Sequence, residues 1–239
     1  FEVFGYTVTG WGADLDIGVL FLFALSGLGF YGLILGGWAS GNKYSLLGAA
    51  RTAAQLVSYE VAMGLSVIGV IMMAQSLSLV DIVHAQSDTA WYILFQPVGF
   101  VIFVIAAVAE TNRAPFDMPE AESELVAGYH TEYGGLKFAM FFLAEYINMI
   151  VISTLTATFF LGGWSAPFDS VVTNAIPGFF WVLIKVFFLL SVFIWIRASF
   201  PRYRYDQIMR LGWKIFIPLT VAWVVIIAIW IKSPWNIWV

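Results

Sequence analysis

The chain has 239 residues, 61% hydrophobic and 11% charged, with a mean hydropathy of +0.88 and a formal net charge of −4. A soluble domain carries about a quarter charged residues, so composition excludes that class and leaves an integral membrane protein. With no cysteine, disulfides and thiolate-held metal or iron–sulfur centres are excluded from this chain.

A spanning helix needs about 20 mainly apolar residues. Six segments qualify: 17–38, 56–79, 91–110, 138–162, 177–199 and 215–232. Their aliphatic and aromatic runs lack the strict alternation of barrel strands. The expected fold is an all-α polytopic bundle, one transmembrane domain over 1–239. Gly162-Gly163 closes the fourth span, Pro177-Gly178 opens the fifth and Pro201 follows it. Trp38, Trp91, Trp164, Trp213 and Trp235 fall near predicted interfaces, as in an aromatic belt. Gly36-Gly37 predicts close helix packing. The chain opens with Phe1 rather than Met and is expected to be part of a longer protein. It has no visible signal peptide, low-complexity tract or internal repeat.

The connections alternate in charge. Lys43 and Arg51 lie in 39–55, Arg113 and Lys137 in 111–137, and Arg197, Arg202, Arg204, Arg210 and Lys214 in 197–214. Nine of the 11 bases therefore share one side, against Lys232 on the other and Lys185 within a span. The positive-inside rule places the loops 39–55, 111–137 and 200–214 in the cytoplasm.

Carboxylates at membrane depth are expensive and mark sites that handle protons, cations or polar ligands. Glu60 stands near the start of the second span, where it either snorkels to water or faces the bundle interior as a proton carrier. Glu145 lies roughly 12 Å inside the fourth span. Its structural alternative is an ion pair with Lys185, which has a similar depth in another span. Between Glu110 and Lys137 are six acids (110, 117, 120, 122, 124, 132) and two bases (113, 137). If Pro119 starts a helix, Glu120, Glu122 and Glu124 fill its first turn, where the helix dipole favours them. Capping needs one or two acids, so the density predicts coupled carboxylates with at least one held protonated.

The segment Arg197 to Asp206 reads as a topology anchor, and its interleaved Tyr203 and Tyr205 also suit a soluble partner or a lipid headgroup. His84 and His130 are expected to be ordinary loop histidines, and no metal site is expected. No nucleophile–base pairing or nucleotide-binding glycine pattern is present, and nothing points to nucleic acid.

The run AETNRAPFDMPEAESELVAGYHTEYGGLKF followed by FFLAEY resembles the signature of one family, the quinone-tunnel (H-type) membrane subunit of respiratory complex I, NADH:quinone oxidoreductase. NKYSLLGAARTAAQLVSYE at 42–60, GGW at 162–164 and IRASFPRYRYDQIMRLGWK at 196–214 agree with it, in the family's order. The resemblance implies eight spanning helices plus an amphipathic helix. The six spans here would be the third to eighth, with much of the tunnel mouth outside this sequence. It also implies an acidic passage through Glu60, Glu110, Glu120, Glu122, Glu124, Glu132 and Glu145. Arg113, Phe116 and Asp117 would border the quinone site, with Arg197 and Arg202 as basic residues near the cavity.

The implied function is that of a membrane subunit of a proton-pumping, energy-converting quinone reductase in the bacterial inner membrane. Quinone is the substrate, and NADH, flavin and iron–sulfur clusters belong to partner subunits. Expected partners are the quinone-module subunits of the peripheral arm, small membrane subunits beside the antiporter-like subunits, and lipid. The alternatives are the homologous subunit of a ferredoxin-dependent or hydrogenase-type complex and a free-standing proton or cation transporter. The transporter would show inverted repeats or matching broken helices, and neither is visible.

Overall fold

The computed structural model describes residues 2–3, 6–7, 14–118, 128–167, 173 and 176–233. Its helices are α1 (Gly18–Ala39), α2 (Lys43–Ala74), α3 (Leu79–Asp88), α4 (Pro97–Glu110), α5 (Leu136–Phe160), α6 (Gly178–Ser199), α7 (Tyr205–Arg210) and α8 (Ile217–Ile231). Glu2–Val3 and Tyr6–Thr7 pair as a two-residue antiparallel ribbon near the start. The all-α expectation holds, and five helices are long and apolar enough to cross a membrane: α1, α2, α5, α6 and the continuous Tyr205–Ile231.

The third expected span differs. Over 91–110 only Pro97–Glu110 is α-helical, 14 residues preceded by a 3₁₀ turn at Tyr92–Leu94. Proline has no N–H to donate and disfavours helical geometry in the residue before it, so the helix starts at Pro97. Gln96 and Gln86 hold the irregular stretch: Gln96 is fully buried, and Gln86 Oε1 accepts from Tyr92 N at 3.3 Å.

The second span begins earlier than the apolar pattern implied. Asn42 caps α2 by accepting from Tyr44 N at 3.0 Å, after Gly41 has turned the chain at φ +64°. The 32 residues that follow make a rod of about 48 Å, so its polar first turns stand beyond a hydrocarbon layer of about 30 Å. The expected loop 39–55 is therefore mostly helix, and so is 200–214 from Tyr205 onward.

α2 is the hub, with α1, α3, α4, α8 and a 3₁₀ turn at Gly128–His130 packed on it, while α5 pairs with α6. Fully buried Tyr59, Phe103, Ile82, Tyr92, Phe159 and Phe160 fill the core. Between α7 and α8 the helix widens into a π-turn at Leu211–Phe216. Pro218 follows it and withholds the N–H that an α-helix would give Lys214 O.

Two close approaches need glycine. Gly37 lets α1 lie on Ser45 and Ala49 of α2, as the glycine pair implied. Gly48 lets the 128–130 turn lie on α2, where an added Cβ would stand 2.9 Å from Gly128 Cα. Backbone cannot yield to that overlap, so Gly48→Ala is expected to destabilise by about 1–3 kcal/mol. The readout is the midpoint of thermal inactivation, with Gly64→Ala as the neutral control because nothing lies within 4 Å of its Cβ position.

Candidate functional site: carboxylates around the loop after α4

α4 ends in a sharp turn. Thr111 Oγ1 donates to Val108 O at 2.8 Å, and Asn112 takes the left-handed φ of +53°. Gln55 of α2 then clamps the loop, its Nε2 donating to Ala109 O at 2.7 Å and to Phe116 O at 2.8 Å. Phe116 lies between Tyr59 of α2 (5.6 Å between ring centres) and Tyr203 (5.6 Å, stacked at 22°). Tyr203 N donates to Pro115 O at 3.1 Å, and Tyr59 OH donates to Ile208 O at 3.0 Å. The loop is thereby fixed against α2 on one side and the segment before α7 on the other.

This frame positions two groups of acids. In the first, Glu110 at the end of α4 is buried and accepts a hydrogen bond from Ser26 of α1. Glu60 of α2 reaches the adjacent residue, its Oε1 lying 2.9 Å from where a Cβ on Gly27 would stand. Two carboxylates from different helices thus meet one turn of α1, close enough for their charges to interact.

In the second, Glu145 of α5 pairs with Arg113 at 2.6 Å, with side-chain exposures of only 11% and 5%. Tyr129 OH donates to Glu145 Oε1 at 3.2 Å. The Arg113 guanidinium also lies 4.8 Å from the ring centre of Phe142 and 5.2 Å from that of Tyr146. A planar, weakly hydrated guanidinium suits such a slot between a carboxylate and aromatic faces. Arg113 lies three residues after Glu110, so one short turn of backbone links the two groups.

The sequence model of the NADH dehydrogenase family matches residues 2–228. The H-type subunit of NADH-quinone oxidoreductase from Cupriavidus taiwanensis is 63% identical in an alignment that covers 95% of this chain and 67% of that relative. The chain belongs to the family of H-type NADH-quinone oxidoreductase subunits. The corresponding protein of Ralstonia nicotianae is 60% identical over 95% of this chain and 67% of its own length. That of Burkholderia vietnamiensis is 55% identical over 95% and 66% respectively. The chain thus spans about two thirds of the length of these relatives.

Of the acids singled out in this oxidoreductase subunit, Glu60, Glu110 and Glu145 come together around the loop. Glu132 is exposed and accepts from Asn42 Nδ2 at 2.8 Å, which ties the loop to the start of α2. Glu120, Glu122, Glu124 and the helix expected from Pro119 lie outside the described residues, as does Trp235. Asp117 is half-buried beside Phe116, whereas Arg197 and Arg202 are exposed. Arg202 precedes Tyr203, which stacks on Phe116 of the loop. Sequence reasoning missed Ser26, Gln55 and Tyr129, the first two being isolated polar side chains within long helices.

The ion pair between Glu145 and Lys185 does not form. Lys185 Nζ instead donates to the carbonyls of Leu161 (2.6 Å), Gly163 (2.8 Å) and Ser165 (2.7 Å), just past the end of α5. It also lies 4.4 Å from the ring centre of Trp91. The physical reason is direction. Glu145 and Lys185 are each a few turns into their own helix, but α5 and α6 run oppositely, so those depths are counted from opposite ends. The two histidines are also not loose loop residues: His84 sits in α3 against Trp164, and His130 lies among Tyr129, Phe138 and Phe142.

Lys185 therefore acts as a lock on the Gly162-Gly163 turn. Lys185→Met leaves three carbonyls without their donor, each worth about 1–3 kcal/mol if left unsatisfied. The midpoint of thermal inactivation of the purified assembly is expected to fall, with turnover per intact assembly unchanged.

Proposed function

We propose that this chain is the membrane subunit of a proton-pumping NADH:quinone oxidoreductase that lines part of the quinone cavity and carries the acidic passage from it. Membership of its family supports its place in a membrane oxidoreductase complex. The observation that carries the finer reading is the two-part acid cluster. Glu60 and Glu110 meet on Ser26-Gly27, and Glu145 is held by Arg113 and Tyr129.

In this reading the loop 111–118 forms one wall of the quinone site on the cytoplasmic side, where a peripheral arm can deliver electrons. NADH, flavin and iron–sulfur clusters reside in partner subunits, and quinone is the substrate here. Reducing a quinone to a quinol takes up two electrons and two protons. Negative charge therefore develops beside Arg113 and Asp117 when the electrons arrive and is neutralised when neighbouring acids give up their protons. Arg113 transmits that change because it is both part of the loop and the counter-ion of Glu145. When Glu145 takes a proton, its attraction for the guanidinium falls, and Arg113 becomes available to the carboxylates at the end of α4.

Protons then pass among Glu60, Glu110 and Glu145, with Glu120, Glu122, Glu124 and Glu132 as the reservoir facing the cytoplasm. Ser26 and Tyr129 hold two of these carboxylates with hydroxyl groups able to pass a proton on. Arg197 and Arg202 supply positive charge at the cavity rim. The loops 39–55, 111–137 and 200–214 lie in the cytoplasm of a bacterial cell, with the helices in its inner membrane.

At matched assembly, Glu145→Gln is expected to lower quinone reductase turnover and coupled proton translocation by about tenfold or more, the scale of losing a positioned proton carrier. Glu122→Gln is expected to lower both as well. Wild-type rates in both variants would remove the acids from the mechanism.

A further inference from the structure

The stretch between α6 and α8 has a second character that the acidic passage does not use. Arg197 in the last turn of α6 and Arg202, Arg204, Arg210 and Lys214 beyond it are all exposed, and only Asp206 opposes them within 197–214. Among the described residues none of these five bases forms an ion pair. A topology anchor needs charge but no shape, and this segment has shape. An open groove of about 280 Å³ is lined by Tyr203, Gln207, Ile208, Arg210, Leu211 and Ile215. That is just below the size of a site for a drug-sized molecule, so it admits a headgroup rather than a whole ligand.

The groove joins two environments. Its polar rim is Tyr203, Gln207 and Arg210, at the end of the span where the bases cluster. Its floor of Ile208, Leu211 and Ile215 leads straight into the continuous apolar helix Tyr205–Ile231. Below it, Ile215 and Leu219 are 48% and 45% exposed, an open apolar track for an acyl chain. The π-turn makes this geometry by widening the helix at Leu211–Phe216. Trp213, itself half-exposed, is pinned by its Nε1 donating to Ser58 Oγ at 2.8 Å.

We propose that this groove binds an anionic glycerophospholipid, its phosphate against Arg210 and its acyl chain along Ile215 and Leu219. Clusters of four to eight bases at the cytoplasmic end of a span attract anionic headgroups. A soluble acidic partner would match the charge equally, but it would leave the apolar floor and track uncovered. The lipid satisfies both. Because Tyr203 also stacks on Phe116, the bound lipid braces the far side of the loop after α4.

The test uses the whole oxidoreductase complex, reconstituted with trace photoactivatable phosphatidylglycerol or phosphatidylcholine. Phosphatidylglycerol is expected to label the 203–219 peptides several-fold more than phosphatidylcholine does. Arg210→Gln is expected to reduce that labelling about fivefold, the effect of one base near a charged headgroup. Labelling at the exposed Phe187 of α6 should not change. Equal labelling by the two lipids overturns the proposal, and that comparison in the unaltered complex stands even if Arg210→Gln assembles poorly. So does absence of labelling, which would mean that a partner subunit covers the face. Displacement by inorganic phosphate or by a quinone analogue would assign the groove to a simple anion or to quinone, and also overturns it. None of these readouts depends on turnover, so they are separate from the role of the acid cluster.

Discussion

Arg113 and Glu145 form an ion pair almost beyond the reach of water, where each charge lacks solvent and depends on the other as its counter-ion. Removing one partner of such a pair costs about 3–5 kcal/mol, because the other is left buried without a counter-charge. The need to keep the pair together explains much of the local architecture. Asn112 turns the chain by a left-handed residue, Gln55 clamps both ends of the turn, and Phe116 is held between Tyr59 and Tyr203. Together these place a loop residue beside a carboxylate of α5. A loop so fixed ties its own charge to a carboxylate within the bundle.

The same constraint acts elsewhere with a different solution. Lys185 is also a buried charge in a span, but its partners are backbone carbonyls at the end of α5. That arrangement uses the negative end of a helix, rather than a carboxylate, to hold the charge. Glu60 and Glu110 are the third case. There two carboxylates from different helices approach one turn of α1, Glu110 accepting from the Ser26 hydroxyl and Glu60 lying against Gly27. A lock, a counter-ion pair and a pair of neighbouring carboxylates are thus three answers to one rule about charge in hydrocarbon.

The fold was legible in the sequence where hydrophobicity alone decides. The apolar runs at 17–38, 138–162 and 177–199 correspond to α1, α5 and α6 to within a few residues. It was less legible where tertiary contacts override pattern. Lys43 and Arg51 look like a loop, yet the Asn42 cap and the close-fitting Gly128–His130 turn keep that stretch helical. Pro97 was visible, but not that the residues before it would leave the helix. For the site, residue type revealed Glu60, Glu110 and Glu145, since charge in an apolar span is conspicuous, and Arg113 stood out as a base in an acidic loop. Their pairing was not readable, because it depends on which way neighbouring helices run. Glu145 lies about 24 Å along α5 from the carbonyls that hold Lys185, a separation that depth counted from each helix start conceals.

We propose that Arg113 and Glu145 act as one unit in coupling quinone chemistry to proton movement. A double-mutant cycle on the assembled complex tests it most directly, comparing Arg113→Gln, Glu145→Gln and the double variant for turnover and proton translocation. If the pair is the working unit, the double variant is no slower than the worse single variant, because each single change already breaks it. Losses that multiply, as for two unconnected sites, would contradict the account.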